Sequence, residues 1–181
     1  MRNRRQRGVV AVEAALVTPI IIVLLLGIIE YGLVFKDMLA VSSSVRAGAR
    51  MASAEPRIGT FATDAVSQVA REGSALDMDD VRELWVYKAA DDGTPVGGSF
   101  AAGCTTCVRF TWDGSQFVPQ TTGWTAIQQN ACQGDANRDR VGVYLKVEHH
   151  SISGLLFDKL DLSEHTVMAL EPIPTTQGCK P

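Results

Sequence analysis

A single acidic residue stands near the start of a long apolar segment, just after a basic run. Residues 2–7 contain four Arg and no acid, Gly8 follows them, and a mostly apolar stretch runs from Val9 to Phe35 with Glu13 near its beginning. A carboxylate inside a membrane span costs about 2.5–3.5 kcal/mol and requires a partner. If the chain is cut after Gly8, the new α-ammonium of Val9 supplies one. Glu13 of a neighbouring copy can accept a charge-assisted hydrogen bond from it.

Three stretches of the N-terminal segment share a wider pattern, namely residues 7–19, 27–32 and 46–50. Together they resemble the TadE-like pseudopilins, which are minor pilins of tight-adherence (Flp) type IV pilus systems. Ala14 stands where that family often has Phe, and Val9 stands where major pilins usually have Phe. Neither difference changes the glycine before the cut or the glutamate after it.

The resemblance implies a function in the assembly or capping of a pilus. It implies that a prepilin peptidase cuts between Gly8 and Val9 and that Glu13 then serves in subunit assembly. The implied partners are the membrane bilayer, the peptidase, other pilins or pseudopilins, and the inner-membrane pilus platform. Methylation of Val9 after cleavage is left open.

The charges of the leader, residues 1–8, predict the orientation of the chain. The whole sequence has 17 basic and 20 acidic residues and a formal charge of −3; without the four leader arginines, 13 basic residues face 20 acidic ones, a charge of −7. An acidic exported part is not expected to bind nucleic acid. The basic end is expected to stay cytoplasmic. We therefore expect a single-pass cell-membrane protein with its C-terminal domain outside, and later a pilus or extracellular location.

Two other kinds of N-terminal segment share a basic start and an apolar run. A secretory signal cut near 52–54 is disfavoured, because the apolar run is long, contains Glu13 and ends well before that site. An uncleaved signal anchor unrelated to pili remains open. The corresponding alternative function is a bitopic, membrane-anchored binding module that never enters a pilus.

One long helix is predicted from Val9 to about residue 54, where Glu55–Pro56 stops it. Some 45 residues at 1.5 Å each give roughly 70 Å, more than twice the hydrocarbon thickness. We therefore divide the helix into a transmembrane half, 9–35, and an exported half, 36–55. Pro19 removes a backbone donor and is expected to kink the helix or melt one turn, a break that could serve in assembly.

The exported half of the helix carries two rows of residues suited to packing. The apolar row is expected to lie on a sheet, and it comprises Val34, Met38, Val41, Val45, Ala49 and Ala52. The small row permits close helix approach, either to another copy or within the chain, and it comprises Ala40, Ser44, Gly48 and Ala52.

The remaining residues, 56–181, predict one globular α+β domain. A helix over 61–71 with Gly73 as its C-cap precedes strands predicted at 84–88, 107–112, 116–118, 141–148 and 166–170. Asp113–Gly114 predicts a hairpin turn, and a short helix is predicted between Ser153 and Leu160. The fold class is therefore type IV pilin-like, with a long N-terminal helix packed on an antiparallel sheet.

All four cysteines lie in the exported part. They are Cys104, Cys107, Cys132 and Cys179. An even number of cysteines outside the cytoplasm predicts two disulfides, and three ways of pairing the four cysteines remain open. A zinc site is the alternative, although one Cys-x-x-Cys without a second pair supports it weakly.

No motif of the chain predicts an enzyme or a cofactor. His149 and His150 are expected to point to opposite faces of a strand, which defeats joint binding of one metal. Asp135, Asn137 and Asp139 alternate as in the first half of a calcium loop, but the glycine and distal glutamate of such loops are missing, so an Asp/Asn-rich turn is favoured over a calcium site. Glu30 at the outer end of the apolar run is assigned no role.

Overall fold

The computed structural model describes residues 3–177 and 179, so Met1 and Arg2 of the predicted leader lie outside the described residues. Helix α1 spans Asn3–Ala54. Its 52 residues extend for about 78 Å at the usual rise per residue. The helix ends directly before Glu55–Pro56, as predicted, because a residue that precedes proline is disfavoured in the α region.

Pro19 lies inside α1 without interrupting it. The prediction of a melted turn at Pro19 is wrong for the single chain, since every residue from Asn3 to Ala54 is helical. The Ala15 carbonyl still lacks its usual donor. One missing bond does not break a helix whose apolar flanks extend for several turns on each side.

The domain that follows α1 is built on a five-stranded antiparallel sheet in the order β5-β4-β1-β6-β7, with β2 and β3 forming a separate two-stranded ribbon. The strands are β1 Val81–Ala89, β2 Gly98–Ser99, β3 Gly103–Cys104, β4 Cys107–Trp112, β5 Phe117–Pro119, β6 Arg140–His150 and β7 Lys159–Ala169. Single turns of 3-10 helix lie at Met78–Asp80, Ala126–Gln128 and Thr175–Gln177. The predicted α+β architecture is confirmed.

The last strand is longer than predicted, and the predicted helix before it is wrong. β6 and β7 pair along eleven residues, from Arg140 opposite Ala169 to His150 opposite Lys159. Residues 151–158 form the connecting loop, in which Gly154 has φ +64°. A positive φ is incompatible with a continuing α-helix.

One face of the sheet is covered by the exported half of α1 and by α2, Phe61–Glu72. The core between them includes Val41 and Val45 of α1, Val69 of α2, and Leu84 and Val143 of the sheet. α2 ends at Gly73, whose N–H donates to the Val69 carbonyl, so the predicted C-cap position is confirmed.

The apolar row of α1 is shorter than predicted. Met38 is half exposed, and the fully buried part begins at Val41. The small row packs within the chain against α2. A Cβ at Gly48 would lie 2.5 Å from Val69 Cγ2 and 3.2 Å from the Ala65 carbonyl oxygen, so only glycine permits this approach.

The opposite face of the sheet carries a second, aromatic cluster. Trp85, Tyr87 and Tyr144 are buried there, and Phe100 from the loop before β3 stacks on Tyr144 with ring centroids 4.5 Å apart. The Tyr87 hydroxyl donates to the Gly93 carbonyl at 2.9 Å. Burial raises the pKa of Tyr87 well above its ordinary value. The loop between β1 and β4 therefore forms a lid over the sheet.

The four cysteines form two disulfides, Cys104–Cys107 and Cys132–Cys179. The Cys104–Cys107 disulfide closes the loop between β1 and β4 where it reaches β4. Its two cysteines are bonded to each other and are not arranged as zinc ligands. The second joins the segment before β6 to the C-terminal segment.

The β4–β5 hairpin lies one residue away from its predicted position. Asp113 N donates to the Gln116 carbonyl at 3.0 Å, which puts Gly114 and Ser115 at the centre of the turn. Gly114 has φ +96°. The Asp113 carboxylate accepts bonds from Ser115 and Gln116, and these bonds lower its pKa.

Candidate functional site

The predicted processing site lies on the exposed N-terminal part of α1. A Cβ placed on Gly8 would have no atom within 4 Å, and two-thirds of Val9 is exposed. Glu13 is exposed one helical turn after Val9, on the same side of the helix. Among the described residues, no hydrogen bond or ion pair involves Glu13. A second molecule can therefore reach all three positions.

The apolar surface of α1 is not used by the domain over most of its length. Its exposed large apolar side chains run from Val9 to Leu39, and the helix is long and apolar enough to cross a membrane. The N-terminal helix therefore fits a single-pass membrane anchor.

Glu30 makes a contact between α1 and the sheet domain that sequence reasoning missed. Its side chain is 1% exposed although it lies at the end of an exposed apolar helix. Its carboxylate accepts hydrogen bonds from the Ser151 hydroxyl at 3.1 Å, from Ile152 N at 3.2 Å and from Ser153 N at 2.5 Å. The β6–β7 loop, residues 151–158, is thus tied to α1. The partners lie about 120 positions apart in sequence, and no local signal could have joined them.

A second polar contact lies two turns further along α1. His149 Nδ1 is 2.7 Å from Asp37 Oδ2, and His149 is buried, whereas His150 faces outward beside Asp80 and Glu148. The predicted opposite orientations of the two histidines are confirmed. Glu30 and Asp37 together join the β6–β7 loop and the adjacent end of β6 to the helix.

The Asp/Asn loop is closed by bonds within the protein. Asn130 Nδ2 donates to Asp135 Oδ2 at 3.0 Å, and Asn137 N donates to Asp135 Oδ1 at 2.9 Å. Asp139 forms an ion pair with Lys88 at 2.8 Å and accepts a bond from Asn130 N. Among the described residues, no group of three or more His, Cys, Asp or Glu is arranged to hold a metal. The geometry supports the Asp/Asn-rich turn.

Residues 8–50 match the family model described as TadE-like protein. This segment is TadE-like. The match covers about a quarter of the chain and confirms the resemblance predicted from residues 7–19, 27–32 and 46–50. Comparisons with curated proteins and with solved structures gave no significant match.

The TadE-like segment contains both the exposed and the buried acidic residues of α1. Gly8, Val9, Glu13 and Pro19 lie in its exposed apolar half, while Glu30 lies in the part of the helix that contacts the β6–β7 loop. The loop partners of Glu30 and the His149 partner of Asp37 lie outside the matched residues. The segment thus carries the helix side of the Glu30 contact with the β6–β7 loop and of the Asp37 contact with His149.

Replacing Glu30 by alanine is expected to free the β6–β7 loop, because three donors lose one shared acceptor. Hydrogen–deuterium exchange of the full chain in detergent should show the Ile152 and Ser153 amides exchanging roughly tenfold faster or more. Glu30→Gln, which keeps one carbonyl oxygen, should be intermediate. Glu13→Ala is the matched control and should leave these amides unchanged. Unaltered exchange in Glu30→Ala would contradict the contact.

We expect the stability of the domain to fall in acid because of Glu148, which lies on the sheet face away from α1. Lys159 and Arg82 donate to its carboxylate at 2.8 and 2.7 Å and lower its pKa from 4.5 to about 2. The unfolded chain has the higher pKa, so this contribution to stability is complete above pH 4.5 and is lost as the pH falls toward 2. Thermal unfolding of Glu148→Gln should vary less with pH in that window than wild type. Equal changes of the unfolding temperature with pH in the two proteins would contradict the expectation.

Proposed function

We propose that this chain is a minor pilin or pseudopilin of a tight-adherence pilus, cut after Gly8 before it takes part in assembly. The observation that carries the proposal is the TadE-like match over residues 8–50, which begins at the proposed cut. The long exposed apolar helix supports it, since such a surface needs either lipid or the helices of neighbouring subunits around it.

Glu13 is proposed to pair with the free α-ammonium of Val9 on a neighbouring subunit. The support is geometric, because the carboxylate is exposed, has no partner among the described residues and lies one turn from the new N-terminus. In the low dielectric of packed apolar helices, an unpaired charge is costly and a hydrogen-bonded pair is favoured. The pairing therefore favours one position of a subunit relative to its neighbour along the fibre axis.

Pro19 and the exported domain have proposed roles in the same process. Pro19 leaves one carbonyl without its donor, so α1 is weakest there if assembly stretches it. The disulfide-closed domain is proposed to cap, prime or decorate the fibre. The proposed partners are the prepilin peptidase, sister pilins and the inner-membrane platform, with the N-terminus cytoplasmic and the domain outside.

N-terminal mass spectrometry of the protein from membranes and from sheared surface fractions tests the proposal. We expect a chain that begins at Val9, methylated or not. Gly8→Phe should keep Met1 and remain in the membrane. Since a Cβ at position 8 meets no atom within 4 Å and the position is exposed, this failure would reflect the peptidase and not the fold. A wild-type chain that begins at Met1 in both fractions would instead support a plain membrane-anchored binding module.

A further inference from the structure

The β6–β7 loop exposes a cluster of large apolar side chains at one end of the domain. Ile152 is 75% exposed, Leu155 61% and Leu156 48%. Elsewhere in the described exported domain, exposed large aliphatic residues are few: Ile58, Ile127 and, beside this same loop, Leu160. A concentration of apolar surface at one tip indicates a contact with another apolar phase.

The loop lies beside the last turns of the apolar helix. Leu156 Cδ1 is 3.7 Å from the Cβ position of Gly27, and Phe157 meets Tyr31 edge-on with ring centroids 6.5 Å apart. A hydrocarbon core requires about 20 helical residues. Counted from Val9, those residues end near Ile28. The tip of the loop is therefore level with the edge of the hydrocarbon on the side of the domain.

The amides of the first five loop residues have acceptors within the protein. Ile152 N and Ser153 N donate to Glu30, Gly154 N donates to the Ser151 hydroxyl at 2.8 Å, and Leu155 N donates to the Ser153 hydroxyl at 3.2 Å. Ser151 N donates to the Asp158 carbonyl at 3.0 Å. Five consecutive amides thus have acceptors inside the protein. Irregular backbone requires this at membrane depth, where an unpaired amide costs several kcal/mol.

Cationic side chains flank the apolar tip. Lys159 begins β7 directly after the loop and pairs with Glu148, and Lys36 follows the apolar run of α1 and pairs with Asp37; both lysine side chains are about half exposed. Lysines in this position can reach lipid phosphates while their stems lie along apolar surface. The apolar tip, the hydrogen-bonded amides of the loop and the flanking lysines follow the same order as the layers of a bilayer leaflet.

We propose that the β6–β7 loop is a second, shallow membrane contact. Ile152, Leu155 and Leu156 insert into the lipid leaflet that faces the domain, beside α1. The proposal rests on the membrane anchor of the proposed function, since the depth of the loop is counted along that helix. It adds that the domain stands against the bilayer in one orientation, held at two points.

Lipid quenching of a fluorophore tests the insertion. Leu155→Cys is labelled with an environment-sensitive dye in the full chain, reconstituted in phosphatidylcholine vesicles with and without nitroxide-labelled lipid. Among the described residues no native cysteine is free, so the new thiol is the labelling site. Ile28→Cys is the control on the helix, and Ser115→Cys is the control at the β4–β5 turn, both at exposed positions. Ile152→Cys serves as a second loop position.

We expect quenching at positions 155 and 152 to approach that at 28 and to exceed that at 115 several-fold. Quenching at 28 without quenching at 155 or 152 would overturn the loop insertion and leave the membrane anchor intact. No quenching at 28 would overturn the anchor and the loop proposal together. Loop positions that escape quenching and form a bismaleimide-linked dimer would assign the apolar tip to a second copy of the chain.

Discussion

Glu13→Ala is expected to remove the protein from sheared surface fibres while cleavage after Gly8 continues. Gly8, the proposed cleavage position, is unchanged and exposed, so we expect the proposed mature N-terminus still to form. The α-ammonium of Val9 then enters the helix bundle without its partner. Truncating one member of a buried charge pair costs about 2–5 kcal/mol. Even the lower value corresponds to roughly thirtyfold less incorporation at equilibrium.

Quantitative immunoblots of membrane and sheared fractions measure this effect, and N-terminal mass spectrometry checks the processing. Val12→Ala is the matched control, because Val12 is an exposed neighbour that carries no charge. It should be incorporated like wild type. Wild-type amounts of Glu13→Ala in fibres would remove charge pairing from the proposed mechanism and leave helix packing alone to drive assembly.

Gly142→Ala is expected to disrupt the exported domain. Gly142 of β6 lies opposite Tyr87 of β1, and an added Cβ would lie 2.2 Å from the ring carbon that bears the hydroxyl. The ring cannot move aside easily, because it is fully buried and its hydroxyl is bonded to the Gly93 carbonyl. Overpacking of this kind costs about 3 kcal/mol or more. A domain of this size would then unfold roughly 10 °C lower.

Near-ultraviolet circular dichroism of the full chain in detergent, followed on heating, measures this change. Gly59→Ala is the control, since an added Cβ there meets no atom within 4 Å. In the Tyr87→Leu background, the additional loss caused by Gly142→Ala should be smaller, because the blocking ring is gone. Equal losses in both backgrounds would show that the ring is not the cause.

The elements with strong local signals were predictable from the sequence. β4 begins and ends at the predicted residues, because its β-branched and aromatic residues are bounded by turn residues on both sides. α1 ends at the predicted position because Pro56 stops it by local geometry alone. Gly8 and Glu13 were identified for the same reason, since a carboxylate in an apolar run is visible without any tertiary structure.

The contacts between distant segments were not predictable. Residues 153–160 include closely spaced leucines that also suit a helix, and short apolar runs are ambiguous by pattern. Their loop conformation depends on Glu30, and the ladder of β7 depends on pairing with β6. Met38 fits the apolar period of α1 but lies half exposed, because the domain covers that face fully only from Val41 onward. In each case tertiary packing decided the outcome.

The Cys132–Cys179 disulfide determines how the domain can bear tension. Its cysteines are 47 positions apart, and both β6 and β7, the strands on which α1 lies, are enclosed between them. A force applied through α1 therefore acts on two strands that lie inside a loop closed by the Cys132–Cys179 disulfide. Even if both strands were peeled from the sheet, the chain could lengthen only outside that closed loop. A domain built in this way can unfold in part under tension without being pulled into a fully extended chain.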